Sequence, residues 1–387
     1  MLLDVCVLGV GNAGSQVAAL AAATKQIPAL GLNTSERDID AIKSINGFSV
    51  IFMEGAGAGK DISIARNILK THINSFLTDD KFTNFAKQGE VIFVVSSTGG
   101  GTGCGINPLL THILKAQFDG RDADHPKKII IPVGIMPTMG ESIGAMRNTV
   151  TFLQAISELN IPFMLFDNNQ AGNNTPTSEI MQKVNSAVVD AICTVRGDYN
   201  QLSPYGMIDT QDMRKLIELP GLIFINHLEG IYQEKIPSDG TIEDLIIENI
   251  NKNNLMVNPD RNKLIERRGY IVNLSKDIQP FFNKDFPEIT KLYGEPIEVF
   301  DHYSVNEDED ERNNYAIMIM SGMALPNNRI KIVQNRIDAA EKLLAEKKAN
   351  QNILAGLAEQ VSAYDNTMAK NKEKGSIESL EDILSKY

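Results

Sequence analysis

The residues with chemistry to offer are three glycine-rich stretches and one pair of acids. Residues 96–105 read Ser-Ser-Thr-Gly-Gly-Gly-Thr-Gly-Cys-Gly. Glycine lets consecutive backbone N–H groups turn toward one anion, and Thr98 and Thr102 add hydroxyl donors, so Gly99, Gly100, Gly101, Thr102 and Gly103 are candidate phosphate ligands. Residues 9–14, Gly-Val-Gly-Asn-Ala-Gly, form a GxGxxG, and residues 54–60, Glu-Gly-Ala-Gly-Ala-Gly-Lys, add a third loop ending in Lys60. That lysine reads either as solvated or as neutralising phosphate charge. Asp209 and Asp212 are spaced i, i+3 at an expected helix start. There they face the same way, and first-turn acids are also favoured by capping and by the helix dipole alone.

The elements that must carry these groups follow from periodicity. Val91 to Val95 is a β-branched run, and Ile106, Leu109, Leu110, Ile113 and Leu114 recur at helical spacing, so residues 96–105 lie between a strand and a helix that begins near Gly103. A helix start there adds a partial positive charge to the loop. Residues 1–8 read as a strand, and an Ala-rich helix over 16–23 follows the GxGxxG. A dinucleotide-binding oxidoreductase is thereby an alternative. Its fingerprint, however, needs an acid after the second strand, where this chain has Asn33-Thr34, and it leaves residues 96–105 unexplained.

Further short strands are expected at 49–53, 128–133 and 163–166. Ile180, Val184, Val188, Ala191 and Val195 lie on one helical face that Met181, Ala187 and Ile192 widen. An apolar arc so broad predicts a helix over 178–195 buried between two bodies of protein. From Gly221 onward strands and helices alternate, and 328–368 reads as one long helix. Ile377, Leu380, Ile383 and Leu384 give the tail a short amphipathic pattern.

Composition narrows the classes. A chain of 387 residues with 43% hydrophobic content has core enough for two or three domains. A net charge of −12 argues against direct nucleic-acid binding, which needs clustered Lys and Arg. Cys6, Cys104 and Cys193 are few, odd in number and far apart, which predicts reduced thiols and a cytoplasmic setting. No metal-ligand spacing joins them to the five histidines, and no apolar stretch approaches membrane-spanning length.

Residues 99–105, Gly-Gly-Gly-Thr-Gly-Cys-Gly, resemble the signature loop of the tubulin/FtsZ superfamily, with Cys104 where the family usually has Ser or Thr. The resemblance extends over residues 8–214. It implies an α/β fold: a Rossmann-like GTPase domain with a parallel sheet over 1–177, a central helix over 178–201, a second α/β activation domain over 202–325, and a long C-terminal helix and tail over 326–387. It also implies GTP and GDP as ligands and Mg2+ on the phosphates.

By position in the family pattern, Gly11 and Asn12 belong to the first phosphate loop and Asn33 to a nucleotide-facing Asn-Thr loop. Gly57, Ala58 and Gly59 sense the γ-phosphate. Pro137 and Glu141 match a Pro with a ribose-binding Glu four residues on; the usual Arg beyond it is Ala145, with Arg147 nearby. Asn168 and Asn185 read the guanine edge, for which an amide offers donor and acceptor together. Asp209 and Asp212 keep the acid spacing of the second signature, Asn-x-Asp-x-x-Asp, with Met207 in place of its Asn.

The resemblance assigns those acids to the GTP of a neighbouring copy in a head-to-tail filament. The long terminal helix fits the TubZ-type plasmid- and phage-partition branch better than the division protein. That branch implies DNA segregation through a TubR-like DNA-binding adaptor on centromere DNA, with no direct nucleic-acid or membrane contact. A divergent FtsZ-type division GTPase is the nearer alternative.

Overall fold

The computed structural model describes residues 2–374 except 41, 43–44, 46, 56, 123–125, 173–174, 202, 204, 262–263 and 309. The apolar runs of the first half become β1 (Val5–Val10), β2 (Ala29–Asn33), β3 (Phe48–Phe52), β4 (Val91–Ser97), β5 (Ile129–Met136) and β6 (Pro162–Asp167). Between them lie α1 (Gly11–Lys25), α2 (Glu36–Asp40), α3 (Ile62–Thr78), α4 (Asp80–Ala86), α5 (Gly101–Gln117) and α6 (Ile143–Glu158). β1, β2, β5 and β6 are buried along their whole length. Helices cover both faces of such strands, which is why they read as unbroken apolar runs and not as alternation. Phe76, Phe82, Phe85, Leu110 and Leu114 close one face against Leu8, Ile92 and Val94.

The second half adds α7 (Thr177–Arg196), α8 (Thr210–Glu218), β7 (Gly221–Glu229), α9 (Ile242–Lys252), β8 (Arg267–Leu274), α10 (Pro287–Tyr293), β9 (Glu298–Val305), β10 (Tyr315–Met323) and α11 (Asn327–Lys374). Among the described residues ten strands form one sheet, ordered β3-β2-β1-β4-β5-β6-β7-β10-β8-β9. β3 to β7 in that order are parallel neighbours, and β10 runs antiparallel to both β7 and β8. The two halves meet through a short pairing, Pro162 with Gly221 and Phe163 with Leu222. This is the expected α/β architecture.

α7 is the expected central helix. Val184, Val188, Ile192 and Val195 are wholly buried, and Thr194 Oγ1 shares a 2.7 Å hydrogen bond with Nε2 of His227 on β7. Gly197, at φ +89°, ends the helix by returning its N–H to the carbonyls of Cys193 and Thr194.

Two helix starts differ from the sequence reading. α1 begins at Gly11, not near Gln16, because the chain turns at Gly11 itself, φ +71°. α5 begins at Gly101, two residues before the expected point. β1 begins at Val5.

The chain divides into two compact units, Met1–Gln334 and Asn335–Tyr387. In the first, the Asp260 carboxylate accepts the N–H groups of Asn327 (2.8 Å) and Asn328 (3.1 Å) and so caps α11. In the second, Leu343, Leu344, Ile353 and Leu357 are exposed on α11. The amphipathic pattern at 377–384 lies outside the described residues. Among the described residues no helix is long and apolar enough to cross a membrane.

Candidate functional site

Every glycine stretch falls at the C-terminal end of a parallel strand, where α/β sheets hold ligands. Gly11 and Asn12 follow β1, Asn33 ends β2, residues 57–59 follow β3 and residues 99–103 follow β4. The loops touch one another. A Cβ on Gly11 would lie 3.3 Å from the N of Gly103, so the first loop lies against the start of α5. The hydroxyls of Thr34 and Thr102 share a hydrogen bond at 2.8 Å. Gly57 N–H donates to Thr34 O at 2.9 Å, and a Cβ on Gly101 would sit 2.9 Å from Ala58 Cβ.

Asn148 on α6 ties the third and fourth loops together, its Nδ2 donating to the carbonyls of Lys60 and Gly99, each at 3.1 Å. Lys60 Nζ donates to Ser142 Oγ at 3.4 Å, at the N-cap of α6. The result is one set of backbone N–H groups and hydroxyls gathered at the N-termini of α1 and α5, which suits a polyphosphate.

Asn33 gives a direct test of fit. It is 1% exposed, and its Oδ1 accepts Thr34 N–H (2.8 Å) and Ser35 N–H (3.2 Å), while its buried Nδ2 has no partner in the protein. A buried donor without an acceptor is costly unless a ligand oxygen meets it. Cys104, in contrast, faces away from the loops. It is wholly buried, its Sγ donates to Asn148 O at 3.1 Å, and burial pushes its thiol up to about 12. The exchange from Ser or Thr therefore alters the packing of α5 on α6 and no group of the cradle.

The remaining residues on this side lie on the next two strand ends. Glu141 is exposed in the loop after β5, where its Oε1 accepts Thr138 N–H at 3.2 Å. Asn168 is half-buried and opens a 3-10 turn, Asn168–Ala171, directly after β6. Asn185 is half-buried on α7, the helix that packs against that turn. Asn169, which the sequence reading passed over, bridges the two loops, its Oδ1 accepting Met139 N–H at 3.2 Å.

Asp209 and Asp212 are elsewhere. Asp209 is the N-cap of α8, its Oδ1 accepting the N–H groups of Gln211 (2.7 Å) and Asp212 (2.9 Å), and Asp212 Oδ2 accepts Asp209 N–H at 3.3 Å. Both carboxylates thus make a reciprocal capping box. α8 is fastened beneath the sheet: Thr210 Oγ1 donates to Leu2 O at 3.1 Å, and Arg214 pairs with Glu90. Leu2 and Glu90 precede β1 and β4, so the acids lie at the N-terminal ends of the strands whose C-terminal ends carry the glycine loops. β4, with seven residues, spans about 20 Å at the usual strand rise. One copy of the chain therefore keeps its cradle and its acids apart. Tyr205 and Met207, beside the acids, are 65% and 43% exposed.

Sequence reasoning named neither Asn148 nor Arg329. Arg329, at the start of α11, forms a buried ion pair with Asp167 at the end of β6, with Nε to Oδ2 at 2.5 Å. Asn148 sits in an ordinary amphipathic helix, and Arg329 lies 162 positions from its partner, so neither left a local signal. Among the described residues no group of three or more His, Cys, Asp and Glu side chains could hold a metal ion.

No protein-family model matches the chain. The tubulin-like protein CetZ of Pyrococcus furiosus is 23% identical over 197 residues, 49% of this chain and 51% of that protein. The tubulin-like protein TubZ of Clostridium botulinum C phage is 24% identical over 202 residues, 49% of this chain and 50% of its own length. The chain thus spans about half the length of the curated relatives it matches. Over the whole fold, the GTPγS-form protofilament of Bacillus thuringiensis serovar israelensis TubZ superposes with a TM-score of 0.69 at 17% identity, covering 90% of this chain and 94% of that one. The strand-end loops, the central helix and these comparisons agree, and the chain has the fold of the tubulin-like proteins CetZ and TubZ.

Proposed function

We propose that the chain is a filament-forming GTPase in which each copy holds GTP and the next copy supplies the acids that hydrolyse it. The observation that carries this reading is the placement of the phosphate cradle and the acid pair at opposite ends of the same parallel strands. Stacking copies head to tail brings one copy's Asp209 and Asp212 onto the nucleotide of the other. Such a contact is heterologous and repeats without closing, which gives a filament. Exposed Tyr205 and Met207 beside the acids supply apolar area for the same contact. The related Bacillus thuringiensis TubZ forms a GTPγS-form protofilament, which favours guanine nucleotide and self-assembly here.

In this reading the N–H groups of residues 100–103, with Gly11, Asn12 and the Thr102 hydroxyl, hold the phosphates, Gly99, whose own N–H donates to Ser97 Oγ at 3.3 Å, shapes the loop beside them, and Gly57, Ala58 and Gly59 close over them. Asn33 Nδ2 donates to the ligand, Glu141 takes the ribose, and Asn168 and Asn185 read the base. Mg2+ bound with the nucleotide would supply charge neutralisation, held by phosphate and water more than by side chains of this chain. Asp209 and Asp212 orient the attacking water. Catalysis of this kind is mostly positioning, so the site stays nearly idle until two copies meet.

The finer proposal is that the filament moves DNA through a DNA-bound adaptor. The 48-residue α11 and the phage TubZ relative favour it, and a net charge of −12 favours an adaptor over direct DNA contact. CetZ relatives match as well as TubZ does, so pelleting with and without adaptor-coated DNA decides the cargo.

The mechanism is tested with Asp212→Asn, which keeps an acceptor for Asp209 N–H while removing the charge. We expect the variant to bind GTP and to pellet with it, while phosphate release falls roughly a hundredfold. Unchanged turnover removes the acid role, and binding of NAD in place of GTP removes the whole reading.

A further inference from the structure

The two loops that the proposed function gives to ribose and base are joined by one cation from α11. Arg329 is 9% exposed, and its partner Asp167 is 1% exposed. The guanidinium grips Asp167 bidentately, Nε to Oδ2 at 2.5 Å and Nη2 to Oδ1 at 3.0 Å. The same Oδ1 accepts Asn169 N–H at 3.0 Å and so sets the turn that begins with Asn168.

On its other side Arg329 reaches the loop after β5: Nη2 donates to Pro137 O at 3.3 Å, and Nη1 lies 3.0 Å from Met139 Sδ. Met139 N–H donates to Asn169 Oδ1 at 3.2 Å, which closes the ring. Behind it, Asp260 caps the two residues before Arg329 and fixes where the arginine starts. A buried ion pair is a weak device for stability alone, since apolar residues of similar volume do as well. Its geometry is a strong device for holding two loops at one spacing, because the planar fork fixes angle as well as distance.

We propose that Arg329 is a positioning residue for the nucleotide. It locks the turn carrying Asn168 and the loop carrying Glu141 into one arrangement, so that the base edge and the ribose are met together. This rests on the guanine-nucleotide reading above. Because the arginine belongs to α11, nucleotide contact and the root of that helix share one hydrogen-bonded network.

The test uses the full chain with Arg329→Met, which keeps much of the volume and loses the charge, and Arg329→Lys, which keeps the charge and loses the fork. Two measurements are made: affinity for GTP and for ITP, which lacks the 2-amino group, and amide exchange of residues 137–141 and 168–171 without nucleotide. We expect faster exchange in both segments and GTP binding weaker by roughly tenfold to a hundredfold, the size of loss that follows from one or two hydrogen bonds to base and ribose no longer being made. The preference for GTP over ITP narrows, with Arg329→Lys between the two.

A folded variant with unchanged GTP affinity and an unchanged GTP-to-ITP ratio overturns the proposal. If Arg329→Met does not fold, Arg329→Lys carries the same comparison. Failure of the unaltered protein to bind GTP is a separate result: it overturns the guanine reading and the nucleotide role of Arg329 with it, while the exchange data still report whether the clamp exists.

Discussion

At Gly100 an added Cβ meets no atom within 4 Å, and the backbone, φ −80° and ψ 161°, suits any residue. Its neighbours differ. A Cβ on Gly99 would lie 3.0 Å from Ala145 Cβ, and one on Gly103 would lie 2.7 Å from Ser97 O. Packing inside the protein explains those glycines but not Gly100, which fits the proposed close approach of a phosphate there. Gly100→Ala should therefore change stability by no more than about 0.5 kcal/mol, while GTP affinity falls. Titration calorimetry beside a denaturant melt reads both, and wild-type affinity in the variant would place the phosphates elsewhere.

The run of glycines was legible in the sequence because its members are consecutive. Which one is reserved for the ligand was not, since that depends on Ala145 and Lys60, forty or more positions away. Asn33 and Asp167 show the same divide. The Asn-Thr pair was visible as a motif, whereas the unpartnered Nδ2 and the Arg329 clamp exist only after folding.

α8 shows how one spacing admits two readings. An acid pair at i, i+3 reads equally as a capping box and as a catalytic pair, and the structure shows the capping box fully formed. What supports the catalytic reading is where the helix is pinned, through Leu2 and Glu90, contacts that no local pattern announces. The two roles separate at Asp209. Asp209→Ala loses the cap and should cost about 1 kcal/mol as well as turnover; Asp209→Asn keeps the cap and should lose turnover alone. Urea midpoints measured with steady-state phosphate release distinguish them, and full turnover in a well-capped Asp209→Asn would leave capping as the residue's whole purpose. The central helix was the most legible element, because its apolar arc is wide enough to demand two partners. The short β6–β7 join beside it left no trace in the sequence.

At the scale of the molecule, the parallel strands act as a spacer with a polarity. They hold glycine loops at one end and acids at the other, and in the proposed filament stacking rather than bending bridges the distance between them. On that proposal GTP turnover depends on how many neighbours each copy has. The most direct test follows phosphate release per molecule across a wide range of protein concentration, with light scattering recorded in the same samples. The account predicts near-zero release per molecule in dilute, monomeric protein and a rise that coincides with assembly. Release per molecule that stays constant from monomer to filament would contradict it, because one copy would then contain the whole catalytic site.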